Sequence, residues 1–241
     1  MATLFISDLH LEPGQPEIGE QFLAFLAGPA RDADALYILG DLFEAWIGDD
    51  DPNPYYAQMR TAIRELSDSG VPVFFMHGNR DFMIGETFAA EAGITLLSDP
   101  HPLQLYGENV LLSHGDAMCT DDIEYQQVRA MTRNPDWQAM MLSKSIEERI
   151  AFAAQARAQS LARSETMTEE IADVSQDAVQ QTIRESGADI LLHGHTHRPA
   201  VHPFHVDERP VHRIVLGDWY EQGSRVEWDE DGPRLEQLPR K

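Results

Sequence analysis

Five short apolar runs in this chain each stop at a small cluster of glycine, aspartate, asparagine or histidine. Leu4-Phe5-Ile6 runs into Ser7-Asp8-Leu9-His10, and Ala35–Leu39 into Gly40-Asp41. Val71–His77 runs into Gly78-Asn79-Arg80-Asp81, Val110–Ser113 into His114-Gly115-Asp116, and Ile190–His193 into Gly194-His195-Thr196-His197. A short run that is apolar throughout reads as a strand buried on both faces. In open α/β sheets, sites lie beyond the carboxyl ends of strands. Asp8 and His10 are two residues apart, as are His195 and His197, so on near-extended backbone each pair would point the same way. The pattern predicts one site assembled from five strand ends.

The spacing between these runs predicts the rest of the fold. In the first half, helices over Glu17–Ala27, Tyr55–Leu66 and Gly85–Ala92 alternate with strands, which argues an α/β layered core. Leu103–Tyr106 and Val110–Ser113 flank Gly107-Glu108-Asn109, a hairpin signature. Then the pattern changes. No convincing strand occurs between Gly115 and Leu192, where helices are predicted over Asp121–Met131, Asp136–Leu142, Ser145–Gln159 and Val174–Ser186, with Asn134-Pro135 as a break. The last helix leads into the strand at Ile190; the others read as a helical insertion over the core, at about residues 121–170 of one 1–241 domain. Beyond His197 the chain is β again, over Ala200–Val206, His212–Leu216, Ser224–Trp228 and Arg234–Leu238.

Composition excludes several functions. With 42% hydrophobic residues and no run approaching the roughly 18–20 apolar residues of a membrane span, the expectation is a globular protein. A strand that begins at Thr3 leaves no room for a signal peptide, so the cytoplasm is the default compartment. The single cysteine, Cys119, excludes an internal disulfide and reads as a packed thiol. The net charge of −23, with only two lysines, argues against nucleic-acid binding through a basic face. Such one-signed charge is expected to adapt the protein to high salt.

Singly, each polar residue has a bland reading: His10 an ordinary histidine, Asp41 a helix cap, Asn79 a turn former. His77, His101, His202, His205 and His212 show no comparable placement. Jointly, imidazole, carboxylate and amide oxygen without thiolate suit Mn, Fe, Co or Zn. Seven such groups are too many for one ion and about right for two. Asp41 is the candidate bridge, and two ions roughly 3.5–4 Å apart can clamp a phosphoryl group. The glycines at 40, 78, 115 and 194 would let the backbone turn sharply beside the site.

These five blocks resemble the calcineurin-like metallophosphoesterase superfamily, whose fold is a β-sandwich flanked by helices. Ile6–Leu11, Tyr37–Asp49, His77–Phe82, His114–Asp122, His193–Pro199 and Leu216–Trp219 together resemble, across essentially the whole chain, its branch of UDP-2,3-diacylglucosamine diphosphatases of lipid A biosynthesis. The resemblance implies a helical cap and two Mn²⁺ ions. It implies water attack on the α-phosphorus of UDP-2,3-diacylglucosamine, giving UMP and 2,3-diacylglucosamine 1-phosphate. It further implies peripheral association with the cytoplasmic face of the inner membrane, with no nucleic acid and no obligate protein partner. Residue by residue, it implies Asp8, His10, Asp41 and His197 on one ion and Asp41, Asn79, His114 and His195 on the other. Asn79, Arg80, Asp122, Ser160, Ser164 and His195 would touch substrate, with Asp41, Asn79, Arg80 and His195 catalytic. The branch tends to carry a lysine where Met167 aligns, so that contact is not transferred.

Arg80 carries independent information. Many superfamily relatives have a histidine here, which can protonate a leaving alkoxide. Arginine stays charged and cannot, but a phosphate leaving group has a low pKa and needs no proton. In the insertion, Val128, Trp137, Met140, Met141, Leu142 and Phe152 are expected to line a groove for acyl chains. The stretch from Asp121 to Glu165 carries a net charge of only −1, which suits a surface that meets anionic lipid. The other readings are a dinuclear phosphoesterase for another nucleotide or phosphodiester, and a non-catalytic scaffold of the same fold.

Overall fold

The computed structural model describes residues 1–164, 171 and 173–239. Its strands are β1 (Ala2–Ile6), β2 (Ala33–Ile38), β3 (Val73–Met76), β4 (Ile94–Leu97), β5 (His101–Leu105), β6 (Glu108–Ser113), β7 (Ile190–His193), β8 (Ala200–Val206), β9 (Arg209–Val215), β10 (Gly223–Asp229) and β11 (Gly232–Leu238). Its α-helices are α1 (Pro16–Ala27), α2 (Pro54–Asp68), α3 (Glu86–Ala92), α4 (Ile123–Thr132), α5 (Pro135–Leu142), α6 (Ile146–Ser164) and α7 (Gln176–Ser186). One sheet runs β11-β10-β1-β2-β3-β4 and the other β5-β6-β7-β9-β8. β1 to β4 are parallel neighbours, as are β6, β7 and β9, while β10 closes on β1 antiparallel.

The apolar runs explain why the two sheets stack. Side chains alternate between faces along a strand. Phe5, Tyr37, Leu39 and Met76 point inward and meet Val110, Leu112, Ile190 and Leu192 of the other sheet. Leu4, Ile6, Leu36 and Ile38 point the other way, onto Ile18, Phe22, Met59 and Ile63 of α1 and α2. On the far side, Leu111 and Leu191 face Val179 and Ile183 of α7. Each run is apolar throughout because both its faces are covered. The mixed α/β class and the sandwich flanked by helices are therefore as expected.

β4 and the start of β9 depart most from expectation. β4 had no signal in the sequence; it is short and gains its pairing from β3, with Ile94 opposite Val73 and Leu97 opposite Met76. β9 begins at Arg209 rather than at His212, because β8 and β9 form one hairpin from Ala200 opposite Val215 to Val206 opposite Arg209.

Helices α4, α5 and α6 occupy the stretch between β6 and α7. They contribute no residue to any of the three core clusters among the described residues. Arginines tie them to the sandwich instead. Arg129 Nε donates to Asp116 at 2.9 Å, and Arg133 Nη2 donates to the carbonyl of Gly78 at 2.9 Å. Arg149 donates to the carbonyl of Ile47 at 2.7 Å and grips Asp50 with two bonds of 2.6 Å. Arg157 pairs with Glu44, and Arg163 with Asp122. Four of the six bases of this stretch thus reach the body, while Arg163 pairs with Asp122 and Glu124 at the start of α4, within the stretch itself.

Candidate metal centre

The first correction at the site concerns its backbone. Asp8, His10, Asp41, His195 and His197 all have φ between 50° and 69°, in the left-handed region rather than extended. For a residue with a Cβ this conformation is disfavoured by roughly 1–2 kcal/mol. Asp and His are among the types that tolerate it best. The loop 7–11 is held in this shape by the loop after β2: Asp8 N donates to the carbonyl of Gly40 at 3.1 Å, His10 N to that of Asp41 at 3.0 Å and Leu11 N to that of Leu42 at 2.9 Å. Of the four glycines expected to permit sharp turns, Gly78 and Gly194 do something else. A Cβ on Gly194 would collide with the Asp8 carboxylate and Ser7, and one on Gly78 with Asp41.

Two clusters of ligand-type atoms result: Asp8, His10 and His197, and Asp41, His114 and His195. They come from both sheets, joined where the carboxyl ends of β1, β2, β3, β6 and β7 meet. Asp41 faces both, with Oδ2 3.8 Å from His10 Nε2 and Oδ1 3.7 Å from His114 Nε2. Asn79 Oδ1 lies 3.0 Å from His114 Nε2 and 2.8 Å from His195 Nδ1. Asp8 accepts from the backbone N–H of His195 at 2.9 Å, which locks the first strand end to the last.

The donor chemistry fits cations. His114 Nδ1 donates to the carbonyl of Leu39 at 2.9 Å, so its other nitrogen presents a lone pair toward the Asn79 oxygen. His10 Nδ1 lies 2.9 Å from Glu44 Oε2, and His197 Nδ1 lies 3.4 Å from Asp218 Oδ2. Their Nε2 atoms, 3.2 Å apart, also face each other. Lone pairs converging among buried carboxylates call for positive charge. The imidazoles register that demand: burial pulls His114 down, but Asp41, Asp116 and Asp8 outweigh it and push it up to about 9. Burial likewise opposes a charged Asp8, and His197, His114 and His10 nonetheless hold it well below the carboxylate range. His195 goes the other way, down to about 4, through burial and the charge of His114.

Sequence reasoning missed the groups that brace these side chains. Glu44 and Asp218 back two histidines. Asp81 accepts from the backbone N–H groups of Leu42 at 2.7 Å and Gly78 at 2.8 Å, so it clamps the loops after β2 and β3 together. Asp116 is buried and accepts from Tyr125 Oη at 2.7 Å and from Arg129. All four lie inside the motif blocks, but position alone does not say which neighbour each one meets. Cys119 is buried, and its thiol is pushed up to about 12, first by burial and then by Asp116.

Above the clusters lies Arg80. Its backbone N–H donates to Asp41 Oδ1 at 2.8 Å and its Nη2 to Ser160 Oγ of α6 at 3.3 Å. Its Nε is buried without a hydrogen-bond partner among the described residues, which also show no ion pair for it. Asp122 is engaged otherwise: it caps α4, accepting from Tyr125 N at 2.9 Å, and pairs with Arg163. Ser164 is the last residue of α6, its side chain outside the described set, and Met167 lies outside the described residues.

A cavity opens beside Asn79 and Arg80, walled by Trp46, Ile47, Phe82, Met83, Trp137, Met141 and Phe152. The six apolar side chains expected to line a groove therefore divide. Trp137, Met141 and Phe152 line it, while Val128, Met140 and Leu142 are turned outward, each 45–50% exposed. On helices so thinly packed, one face serves the cavity and the opposite face has nothing to cover it.

Comparison with known proteins agrees with this geometry. The chain is 54% identical over 247 residues to a UDP-2,3-diacylglucosamine hydrolase of Stenotrophomonas maltophilia (strain K279a), covering 100% of both chains. It is 53% identical over 245 residues to the protein of that name from Xanthomonas axonopodis pv. citri, covering 99% of each. It is 52% identical over 239 residues to the one from Enterobacter sp. (strain 638), covering 99% of this chain and 100% of that one. The profile of the calcineurin-like phosphoesterases matches residues 1–199, a span that takes in all five strand ends and both clusters. The chain belongs to the calcineurin-like phosphoesterase family.

Proposed function

We propose that this chain hydrolyses the pyrophosphate bond of UDP-2,3-diacylglucosamine by water attack on the α-phosphorus, releasing UMP and 2,3-diacylglucosamine 1-phosphate. The observation that carries the reading is a single juxtaposition. Two clusters suited to divalent cations, a half-buried guanidinium without a carboxylate partner among the described residues, and a largely apolar cavity all meet at Asn79-Arg80. A substrate with a pyrophosphate between a polar nucleotide and acyl chains needs those three things side by side. The relatives' shared name supports the same substrate.

Asp8, His10, Asp41 and His197 would hold one cation and Asp41, Asn79, His114 and His195 the other, with Mn²⁺ the ion that the family resemblance and the N/O donor set favour. When bound, two such ions neutralise phosphoryl charge and bring the pKa of a water toward neutrality. The chain's own residues do the rest. Asn79 turns its oxygen toward the histidines, which leaves its amide to donate to a phosphoryl oxygen. Arg80 offers a fork of donors to the phosphate that leaves, stabilising its charge with no proton transfer. His195, pulled down to about 4, stays neutral near pH 7. Ser160 would orient Arg80 or contact the substrate from α6. Asp122, at the start of α4, and Ser164, at the end of α6, would also contact the substrate.

Residues 121–170 serve as the cap over one 1–241 domain, with Trp137, Met141 and Phe152 against an acyl chain. No described helix is long and apolar enough to cross a membrane. Ile123, Val128, Met131, Met140, Leu142 and Ile150 are exposed on the cap. These side chains, rather than basic charge, would seat it peripherally on the cytoplasmic face of the inner membrane. Met140→Glu with Leu142→Glu is expected to reduce flotation with liposomes while activity on detergent-dispersed substrate stays.

The deciding experiment uses metal-stripped protein refilled with Mn²⁺ in ¹⁸O-water. Label in UMP, with activity confined to the acylated substrate, is the expected result. Equal hydrolysis of UDP-N-acetylglucosamine or an aryl phosphodiester would keep the metal centre and sink the lipid reading. No turnover with both ions bound would favour a scaffold.

A further inference from the structure

We propose that Glu44 is a positioning residue that fixes His10 for the cation and makes the seating of α6 part of the same chain of ion pairs. This rests on the reading of Asp8, His10, Asp41 and His197 as metal ligands. Glu44 is buried, 8% exposed, at the end of the segment that follows Asp41. Its placement is set by the backbone: Glu44 N donates to the carbonyl of Leu11 at 3.2 Å, beside the parallel bridge of Leu11 with Phe43. The 41–44 segment therefore runs in register with 8–11.

From that register, Glu44 Oε2 reaches His10 Nδ1 at 2.9 Å, and Oε1 pairs with Arg157 Nε of α6. The ring of Tyr220 stacks on His10, centroids 5.3 Å apart and planes within 11°. His10 is thus held at Nδ1 and across its plane, and only Nε2 is left to face Asp8, Asp41 and His197. A carboxylate behind a ligating histidine selects its tautomer and orientation, and its loss typically weakens metal binding ~10–100-fold.

His197 has the analogous partner in Asp218, but at 3.4 Å and with that carboxylate 28% exposed. Glu44 differs in two ways. It is removed from water, so its charge needs a second partner. That partner comes from the cap. Arg157 lines the apolar cavity, as does Glu44 itself. A cation on His10 and a seated α6 therefore share one carboxylate, and by linkage each strengthens the other.

The test measures Mn²⁺ binding by the electron paramagnetic resonance of free Mn²⁺, together with hydrogen exchange along α6. Wild-type protein is expected to bind two Mn²⁺ and to slow exchange in α6 when it does. Glu44→Ala should weaken one of the two binding events ~10–100-fold and leave the other unchanged. Glu44→Gln, which keeps the shape and an acceptor for His10 but not the charge for Arg157, should recover most of the affinity. Arg157→Met should bind Mn²⁺ more weakly, by the same factor by which Mn²⁺ protects α6 in wild-type protein, and should no longer slow α6 on binding; Arg149 keeps the helix docked in this variant. Two Mn²⁺ bound at wild-type affinity by Glu44→Ala overturns the positioning role and leaves the metal centre standing. Protection of α6 by Mn²⁺ in Arg157→Met overturns the coupling. Failure of wild-type protein to bind Mn²⁺ overturns the metal reading underneath both.

Discussion

At the scale of single residues, the candidate centre combines strained backbone with chemically exact neighbours. Five of its side chains stand on left-handed backbone that only the surrounding loops maintain. Asp41 faces both clusters and His195 belongs to one of them beside Asn79, so under the proposed roles Asp41→Ala and His195→Ala are each expected to abolish turnover. Metal analysis of Asp41→Ala should show fewer than two ions; full metal with near-normal rates would mean the assignment of ligands is wrong. Arg80→Ala should lower kcat about 10²–10³-fold, the scale of losing one preorganised charge stabiliser. Metal content should stay intact; lost metal would move Arg80 from substrate to support. Gly194→Ala adds a Cβ where Asp8 and Ser7 stand, and Asp8 cannot yield because the His195 N–H holds it. Urea unfolding should show a loss of about 1–3 kcal/mol, the usual penalty of overpacking.

At the scale of elements, the contrast is between strands held by burial and cap helices held by charge. β7 and β6 from Val110 onward are buried on both faces, whereas α4 has no buried residue. Hydrogen exchange should accordingly be faster along α4 to α6 than along β1, β2, β6 and β7. Acid should widen that gap. The hydrogen bond from Arg149 holds Asp50 below its ordinary carboxylate value. A folded pKa below the unfolded one contributes stability that is present above about pH 4 and is lost as pH falls through the folded value. Protection along α6, taken against the intrinsic exchange rate at each pH, should therefore fall below about pH 4, and Arg149→Ala should show that lower protection already at pH 7. An α6 equally protected at pH 3 and 7 would rule out this tether. The element order was legible because buried strands are apolar throughout and helices repeat at 3.6. β4 was not, since a strand so short is defined by its neighbour β3. The division of the cap's apolar residues into cavity and surface was hidden too, because its helices have an apolar residue on nearly every face.

At the scale of the molecule, a chain carrying 41 acidic residues against 18 basic ones folds around a centre that buries several of its carboxylates. Salt should screen the mutual repulsion, and thermal stability is expected to rise from low to molar NaCl. A flat or falling midpoint would end the idea of high-salt adaptation. Chelation should act on the same ledger from inside. Returning Mn²⁺ at ~100 times its Kd should restore about 2.7 kcal/mol per site, read as an upward shift of the melting midpoint that EDTA reverses.

What the chain's order of residues determined was the layered fold and the identity of the polar groups at five strand ends. Those are local properties: an apolar run must be covered on both faces, and its end is where polar side chains can begin. The two sheets, facing each other through Phe5, Leu112 and Leu192, then brought those ends together, with Asp8 against His195 and Asp41 against His114. Only the tertiary structure decided the rest. The left-handed turns exist because loops 7–11 and 40–44 hydrogen-bond to each other. Glu44 backs His10, Arg157 grips Glu44, and Arg129, Arg133, Arg149 and Arg157 pair with groups of the body. Each of these depends on the distance between groups far apart in the chain, and a single side chain's type cannot encode which buried charge it will meet.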